Sequence, residues 1–312
     1  MILRYVHLSR HSAVFLSLTG LRVAAFDALV ADLLPGYAAN EAARLQRPAR
    51  RRAIGAGHPF ALRPRDQVLL TVVWLRLYPI HEVLGYLFGV SDTTVTRTIA
   101  RWLPLLEAAG RDTMRLPDPG RKHRRHLDAL LADTPDLAVI IDTFEQRVQR
   151  PRDRNAADQL YSGKKKQHTF KVQITINEIT GEVADVADSV PGPTADITLV
   201  ERSGVLGRLP PGVGALGDLG YPGLDKLHPR GAIPRRKPRG RDRPPEDIAY
   251  NRAFARRRIP VEHTIGQVRS YQALSQTDRH HRCNHSARVR AVAGLVNRRL
   301  RRVLAYRERL AA

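Results

Sequence analysis

Apolar residues recur at helical spacing through the first third of the chain. Leu21 to Leu34 follows a three-and-four pattern, and Pro35-Gly36 is expected to stop that helix. Leu45 to Ala56 is rich in arginine and reads as a loop or basic turn. Arg65 to Leu77 is strongly apolar, a buried helix that Pro79 breaks. Ile80 to Phe88 predicts a short helix with Val83, Leu84 and Leu87 inward. Gly89-Val90-Ser91 predicts a tight turn, and Asp92 to Leu103 a second helix capped by Ser91 or Asp92. A short helix, a glycine turn and a capped helix make the helix-turn-helix pattern, spanning about residues 80–103. In that geometry Val90, Val95 and Ile99 lock the helices together. Thr93, Thr94, Arg97 and Arg101 then stand outward, where they can meet a major groove. An ordinary helical hairpin has the same pattern. Trp74 and Trp102 occupy apolar helical positions and read as core.

The period changes at Asp136. Leu137 to Ile141 is a continuous apolar run ending at Asp142, a buried strand with an acid at its end. Phe170, Val172, Ile174 and Ile176 alternate with Lys171, Gln173 and Thr175, which predicts a half-buried strand. Val183 to Val190 predicts its return. Asp196 opens a helix over Ile197 to Ser203. Val213 to Leu216 predicts a short strand running into Gly217-Asp218-Leu219-Gly220-Tyr221. A long helix is expected from Asp247 to Leu274, disturbed near Pro260, and a last one from Ala287 to Leu304. The pattern divides the chain into a helical region over 1–110, a linker over 111–135 and a mixed α/β unit over 136–312.

Charge sharpens this reading. The 312 residues hold 52 Lys and Arg against 30 Asp and Glu, a formal net charge of +22. Residues 1–110 carry a net +6, residues 111–218 balance, and residues 219–312 carry +16. Such an excess points first to a nucleic-acid partner and second to an anionic membrane. The basic residues flank globular motifs rather than an amphipathic anchor, so a membrane is not expected as a partner. A single cysteine, Cys283, excludes an intramolecular disulfide framework and a Cys-rich zinc site. His280, His281, Cys283 and His285 match no common zinc spacing. No phosphate-binding GxxxxGK[ST] loop is present. His11 to Leu21 is too short to span a bilayer and is a poor signal peptide, so a soluble, intracellular protein is expected.

Asp142, Asp218 and Glu262 stand at two strand ends and on a helix. Carboxylates that converge repel, and persist together with a cation between them or with raised pKa values. Hard oxygen ligands suit magnesium or manganese. An acid at a strand or helix end is also commonly a cap or a solvated residue. Glu262, with Arg258 four residues before it, also fits a simple helical ion pair.

Five segments in order resemble the DDE-superfamily transposases of bacterial insertion sequences, in the group related to PIF/Harbinger elements. They are Ile141-Asp142-Thr143-Phe144-Glu145 with Arg150-Pro151, Tyr161-Ser162-Gly163-Lys164-Lys165-Lys166-Gln167-His168-Thr169, Pro191-Gly192-Pro193-Thr194-Ala195-Asp196, Gly217-Asp218-Leu219-Gly220-Tyr221-Pro222 and Val261-Glu262-His263-Thr264-Ile265-Gly266. Ala195 stands where the family often has His. The resemblance covers roughly residues 20–305. It implies an α/β, RNase H-like catalytic core preceded by an all-α helix-turn-helix domain. It implies a metal-dependent DNA endonuclease and strand transferase, with Asp142, Asp218 and Glu262 as the catalytic triad. These three would hold two Mg2+ or Mn2+ ions. Asp196 is a further metal candidate, either a fourth ligand or an acid behind the ligands. Lys164, Lys165 and Lys166, with Arg235, Arg236 and Lys237, would clamp phosphates of double-stranded DNA. The implied state on DNA is a homodimer or higher, and the implied location is the bacterial cytoplasm at the nucleoid. A catalytically inactive DNA-binding derivative, or a nuclease that cuts without joining, would share most of these features.

Overall fold

The computed structural model describes residues 3–46, 51, 53, 59–120 and 129–311, from 302 onward as backbone only. Six helices come first: α1 (Tyr5–Leu8), α2 (Ser12–Thr19), α3 (Val23–Leu45), α4 (Pro64–Leu77), α5 (His81–Phe88) and α6 (Asp92–Arg111). The arginine-rich stretch from Leu45 to Ala56 lies largely outside the described residues, as does part of the expected linker.

Helix α3 does not stop at Pro35; it runs on to Leu45. A proline inside a helix removes one hydrogen bond, and tertiary packing offsets that loss. Here the Tyr37 ring stacks on Trp102 at 4.6 Å, and Gly36 lies against Leu105. Helix α6 likewise passes through Pro104, well beyond the expected end at Leu103, because Leu103 and Leu106 on either side of it are both buried.

The α5–turn–α6 unit is the expected helix-turn-helix. Gly89 takes the left-handed conformation, φ +61, that ends α5. Ser91 caps α6, its Oγ accepting the Thr94 N–H at 3.2 Å. Leu84, Val95 and Ile99 are buried between the helices. Val83 is not inward: it is 46% exposed, and Gly85 and Phe88 take the buried side instead.

The second half is built on a sheet. Its elements are β1 (Leu137–Arg147), α7 (Arg154–Leu160), β2 (Tyr161–Ser162), β3 (Gln167–Asn177), β4 (Val183–Val186), β5 (Val190–Pro191), α8 (Asp196–Ser203), β6 (Val213–Leu216), α9 (Leu224–Leu227), β7 (Gly231–Ala232), α10 (Pro245–Arg269), α11 (Gln272–Ser275) and α12 (His285–Ala311). β3 runs antiparallel to β1 and β4, whereas β6 runs parallel to β1 and β7 parallel to β6. The order β4-β3-β1-β6-β7, three antiparallel strands followed by two parallel additions, is the RNase H-like arrangement.

Three strand expectations change. β1 does not end at Asp142 but continues five residues further, to Arg147, paired with β3 throughout. β3 is not half-buried: Gln173 and Thr175, on its polar side, are as buried as Ile174 and Ile176. The run from Val183 to Val190 is split into β4 and β5. One apolar cluster covers the sheet face bearing Ala138, Ile140, Phe144 and Ile174 and continues without a break into the N-terminal helices. A second covers the opposite face, where Val139 and Ile141 meet Val200 and Tyr221.

Helices α6 and α12 cross where Gly110 meets Gly294, so closely that neither position has room for a Cβ. Helix α10 is anchored by Arg257, which donates two hydrogen bonds to the buried Glu178, each 2.7 Å, and others to Thr134 and the Pro135 carbonyl. That clamp fixes the rotation of α10 above the sheet. Arg258 and Glu262 follow on the same helix.

Candidate functional site

The site forms where β1 and β6 run side by side. Ile140 pairs with Leu216. Asp142 and Asp218 each lie two residues beyond that pair, so parallel pairing brings two acids 76 positions apart in sequence to one level of the sheet. Asp218 sits in a turn whose Gly220 N–H donates to its Oδ1 at 2.7 Å. A Cβ on Gly220 would come within 2.8 Å of Asp218 Oδ1 and 3.0 Å of Asp196 Oδ2. The glycine therefore lets two carboxylates approach the same point. Asp196 reaches it from the first residue of α8.

Two cations serve these acids. Lys171 Nζ donates to Asp196 Oδ1 at 2.8 Å and to the Thr194 carbonyl at 2.6 Å. Thr143 Oγ1 also donates to Asp196 Oδ1, at 3.0 Å. Arg258 donates to Asp142 Oδ2 at 3.3 Å, while the Thr143 N–H donates to Asp142 Oδ1 at 2.8 Å. Asp142 is nevertheless pushed up to about 6. Burial is the main cause, and the charges of Asp218 and Asp196 add to it against the opposing Thr143 N–H and Arg258. Tyr221 is fully buried beneath the cluster; burial first, then Asp142, Asp196 and Asp218, drive its hydroxyl far above the usual tyrosine range. Three aspartates thus form one electrostatic unit.

Glu262 is placed differently. It is exposed on α10, one helical turn beyond Arg258, and makes no hydrogen bond or ion pair with the aspartates. Among the described residues no group of three or more His, Cys, Asp or Glu is arranged to hold a metal ion. The donor chemistry still fits a hard divalent cation. Oxygen ligands converge and one carboxyl is destabilised in its charged form, while Lys171 and Arg258 pair with two of the acids that such an ion would share.

The other expected residues are scattered. Thr93 and Arg97 stand exposed on α6, and Thr94 is half-buried beside Ser91. Arg101 is not outward. It turns inward, donating to Gln67 Oε1 at 3.2 Å, pairing with Glu41 at 3.4 Å and lying 4.4 Å over the Phe60 ring. Lys164, Lys165 and Lys166 are exposed, Lys166 in the left-handed region at φ +51. Arg235 pairs with Asp247 at 3.1 Å and lies 4.1 Å over Tyr250; Arg236 donates to the Leu219 carbonyl; Lys237 pairs with Asp242 at 3.5 Å. Trp74 and Trp102 are core, as expected. His285 is fully buried, its ring nitrogens engaged by Ser189 and Gln146, while Cys283 is exposed. The sequence reading missed Lys171, Thr143 and Tyr221. Lys171 had one available signal, a charge on an otherwise strongly patterned strand.

Comparison with known proteins decides the family. The model of the DDE superfamily endonucleases matches residues 141–297, half of the chain, and that of their helix-turn-helix matches residues 60–112. The chain belongs to the DDE superfamily endonucleases. This DDE chain is also 28% identical over 232 residues to a probable transposase for insertion sequence element IS702 from Microchaete diplosiphon, covering 74% of this chain and 79% of the relative. No solved structure matches it. The endonuclease match begins one residue before Asp142 and contains Asp196, Asp218 and Glu262. The matched helix-turn-helix contains α4, α5 and α6. No single helix among the described residues is long and apolar enough to cross a membrane.

Proposed function

We propose that this chain is a transposase that cuts DNA at the ends of a mobile element and joins the freed ends to target DNA. One observation carries the reading: three aspartates crowd where β1 and β6 meet, in a DDE endonuclease that also has a helix-turn-helix. Asp142, Asp218 and Glu262 would hold two divalent ions, Mg2+ or Mn2+, with Asp196 as a further ligand candidate. Such ions supply Lewis acidity and a nucleophilic oxygen at neutral pH.

The chain's own residues do the rest. Arg258 and Lys171 keep the acids paired, so the cluster persists without repelling itself apart. Arg257 and Glu178 hold α10 over the sheet and so set the height of Glu262. Thr93, Thr94 and Arg97 present the helix-turn-helix to a major groove, and Lys164, Lys165, Lys166 and Arg236 line phosphates, joined by Arg235 and Lys237 once these leave Asp247 and Asp242. Arg101 reaches DNA only by leaving Glu41. Joining two ends requires both to be held at once, so the working form is at least a homodimer on double-stranded DNA, acting at the nucleoid in the cytoplasm.

The test is a cleavage and joining assay with Mg2+ or Mn2+ on the DNA flanking this gene. It compares the wild type with Glu262→Gln and Asp142→Asn. Cleavage and joining by the wild type alone is the expected result. Cleavage without joined products would make the chain a simple nuclease. Tight binding without cleavage by any of the three would make it an inactive DNA binder. Equal cleavage by all three would move the chemistry elsewhere.

A further inference from the structure

A cleft of about 600 Å3 is lined by Glu145 and Arg147 of β1, on the strand that carries Asp142. Its charged wall comes from four separate segments: Arg147 at the end of β1, Lys165 in the turn before β3, Arg269 at the end of α10 and Arg279 after α11. All four are exposed. Arg147, Lys165 and Arg269 form no ion pair among the described residues. This contrasts with Arg208, Arg235 and Lys237, each of which is matched to a carboxylate. These four cations face one cleft against the single carboxylate of Glu145, so the lining carries a net positive charge, and an anion that bridges the cations relieves their repulsion.

The two ends of the cleft are fixed. At one end Glu145 accepts a hydrogen bond from Thr169 at 2.7 Å and stands opposite Lys171, the partner of Asp196. At the other, Arg279 lies 4.5 Å over the Tyr78 ring and donates to the Tyr78 carbonyl. Tyr78 terminates α4, three residues before α5 begins. The lining therefore includes one residue tied to Tyr78, just ahead of the helix-turn-helix, and one opposite Lys171, the partner of Asp196. Its remaining lining consists of hydroxyl and amide side chains such as Gln167 and Thr277, with no aromatic ring. Cations with short polar donors suit sugar and phosphate rather than base edges. Its cations come from four separate segments, which fits a chain of phosphates better than a single anion.

We propose that this cleft seats the sugar–phosphate backbone of the DNA strand that passes from the helix-turn-helix to the aspartate cluster. Arg147 and Arg269 are its principal phosphate contacts, and Arg279 is the fixed post at the helix-turn-helix end. The inference rests on the nuclease reading above and adds a path for the strand that sequence motifs did not mark; of the four cations, only Lys165 belonged to the expected phosphate clamp.

The test measures affinity of the full chain for a duplex of about 40 base pairs, carrying one element end and its flank, as a function of salt. Four variants are compared: Arg147→Gln with Arg269→Gln, Lys165→Gln, Arg97→Ala, and Arg208→Gln as a paired surface arginine elsewhere. Thermal melting checks that each is folded. The double variant is expected to lose about tenfold or more in affinity and to flatten the salt slope by roughly two phosphate contacts. Lys165→Gln removes about one contact in the same way, and Arg208→Gln changes neither quantity. Wild-type affinity and slope in the double variant, with Arg97→Ala still weakened, would overturn the cleft while leaving the DNA-binding reading intact. Failure of the wild type to bind the duplex at any salt concentration would overturn both.

Discussion

At the scale of single residues, the site is governed by charges paired inside the protein. Arg257 and Glu178 are 5% and 0% exposed, and their guanidinium–carboxylate fork ties α10 to the residue that follows β3. Breaking one side of a buried pair leaves the other charge stranded, which costs about 3–5 kcal/mol. Arg257→Met is therefore expected to lose stability on that scale in urea unfolding, and to lose cleavage with it. Arg258 and Lys171 are of another kind: each meets a carboxylate that a divalent ion would also seek. The sequence displayed Asp142 and Asp218 clearly, because they stand out against apolar or glycine-rich neighbours, whereas Glu262, four residues after Arg258, also fitted a helical ion pair. It could not display the countercations. Whether Lys171 faces water or Asp196 depends on α8 folding across β3, and Arg101 on a glutamate sixty positions away on α3. Such pairings depend on which elements meet, and local patterning carries no information about them.

At the scale of elements, local rules worked where a segment's own pattern decides its fate. The Ser91 cap, the glycine turn and the β6 strand are local signals, and each is where it was expected. Local rules failed where burial from a second element intervenes. Pro35 does not end α3 because Tyr37 packs on Trp102, and Asp142 does not end β1 because β3 keeps pairing with it. β3 looked half-exposed because its polar positions alternate so regularly; α8 and the opposite layer bury them. The α6–α12 crossing follows the same logic, since a glycine inside a helix costs stability unless something needs its missing side chain. Gly110 and Gly294 allow backbone contact. Gly294→Ala, normally favourable to a helix, is expected here to destabilise by about 1–3 kcal/mol through overpacking. A lowered thermal midpoint checks this, and a raised one would mean that the helices can separate at no cost.

At the scale of the whole molecule, the excess of positive charge is unevenly placed and the apolar core is not divided along the same line. The basic C-terminal third includes α10 and α12, whose apolar residues join the core of the N-terminal helices, so exposed charge and chain-holding apolar surface alternate along the same segments. Proton uptake also acts globally. His285 is fully buried and its imidazole is pushed down to about 4, chiefly by burial and then by Arg288. The unfolded chain therefore takes up a proton in the range between about 4 and the ordinary histidine value, where the folded chain resists it. Stability is complete above that window and declines as pH falls through it. From pH 7 to pH 5 this residue alone should remove about 2 kcal/mol. Thermal melts at both pH values should show a smaller drop for His285→Gln than for the wild type; equal drops would assign the acid sensitivity elsewhere.

The glycine crossing of α6 and α12 also bears on how copies of such a gene decay. A stop codon before His285 removes the helix against which α6 closes. The resulting fragment would keep its helix-turn-helix letters yet lack the helix whose backbone closes on α6 at Gly110. Loss of the tail is then expected to cost the head its fold, so that a truncated copy would make a poor rival to the intact protein.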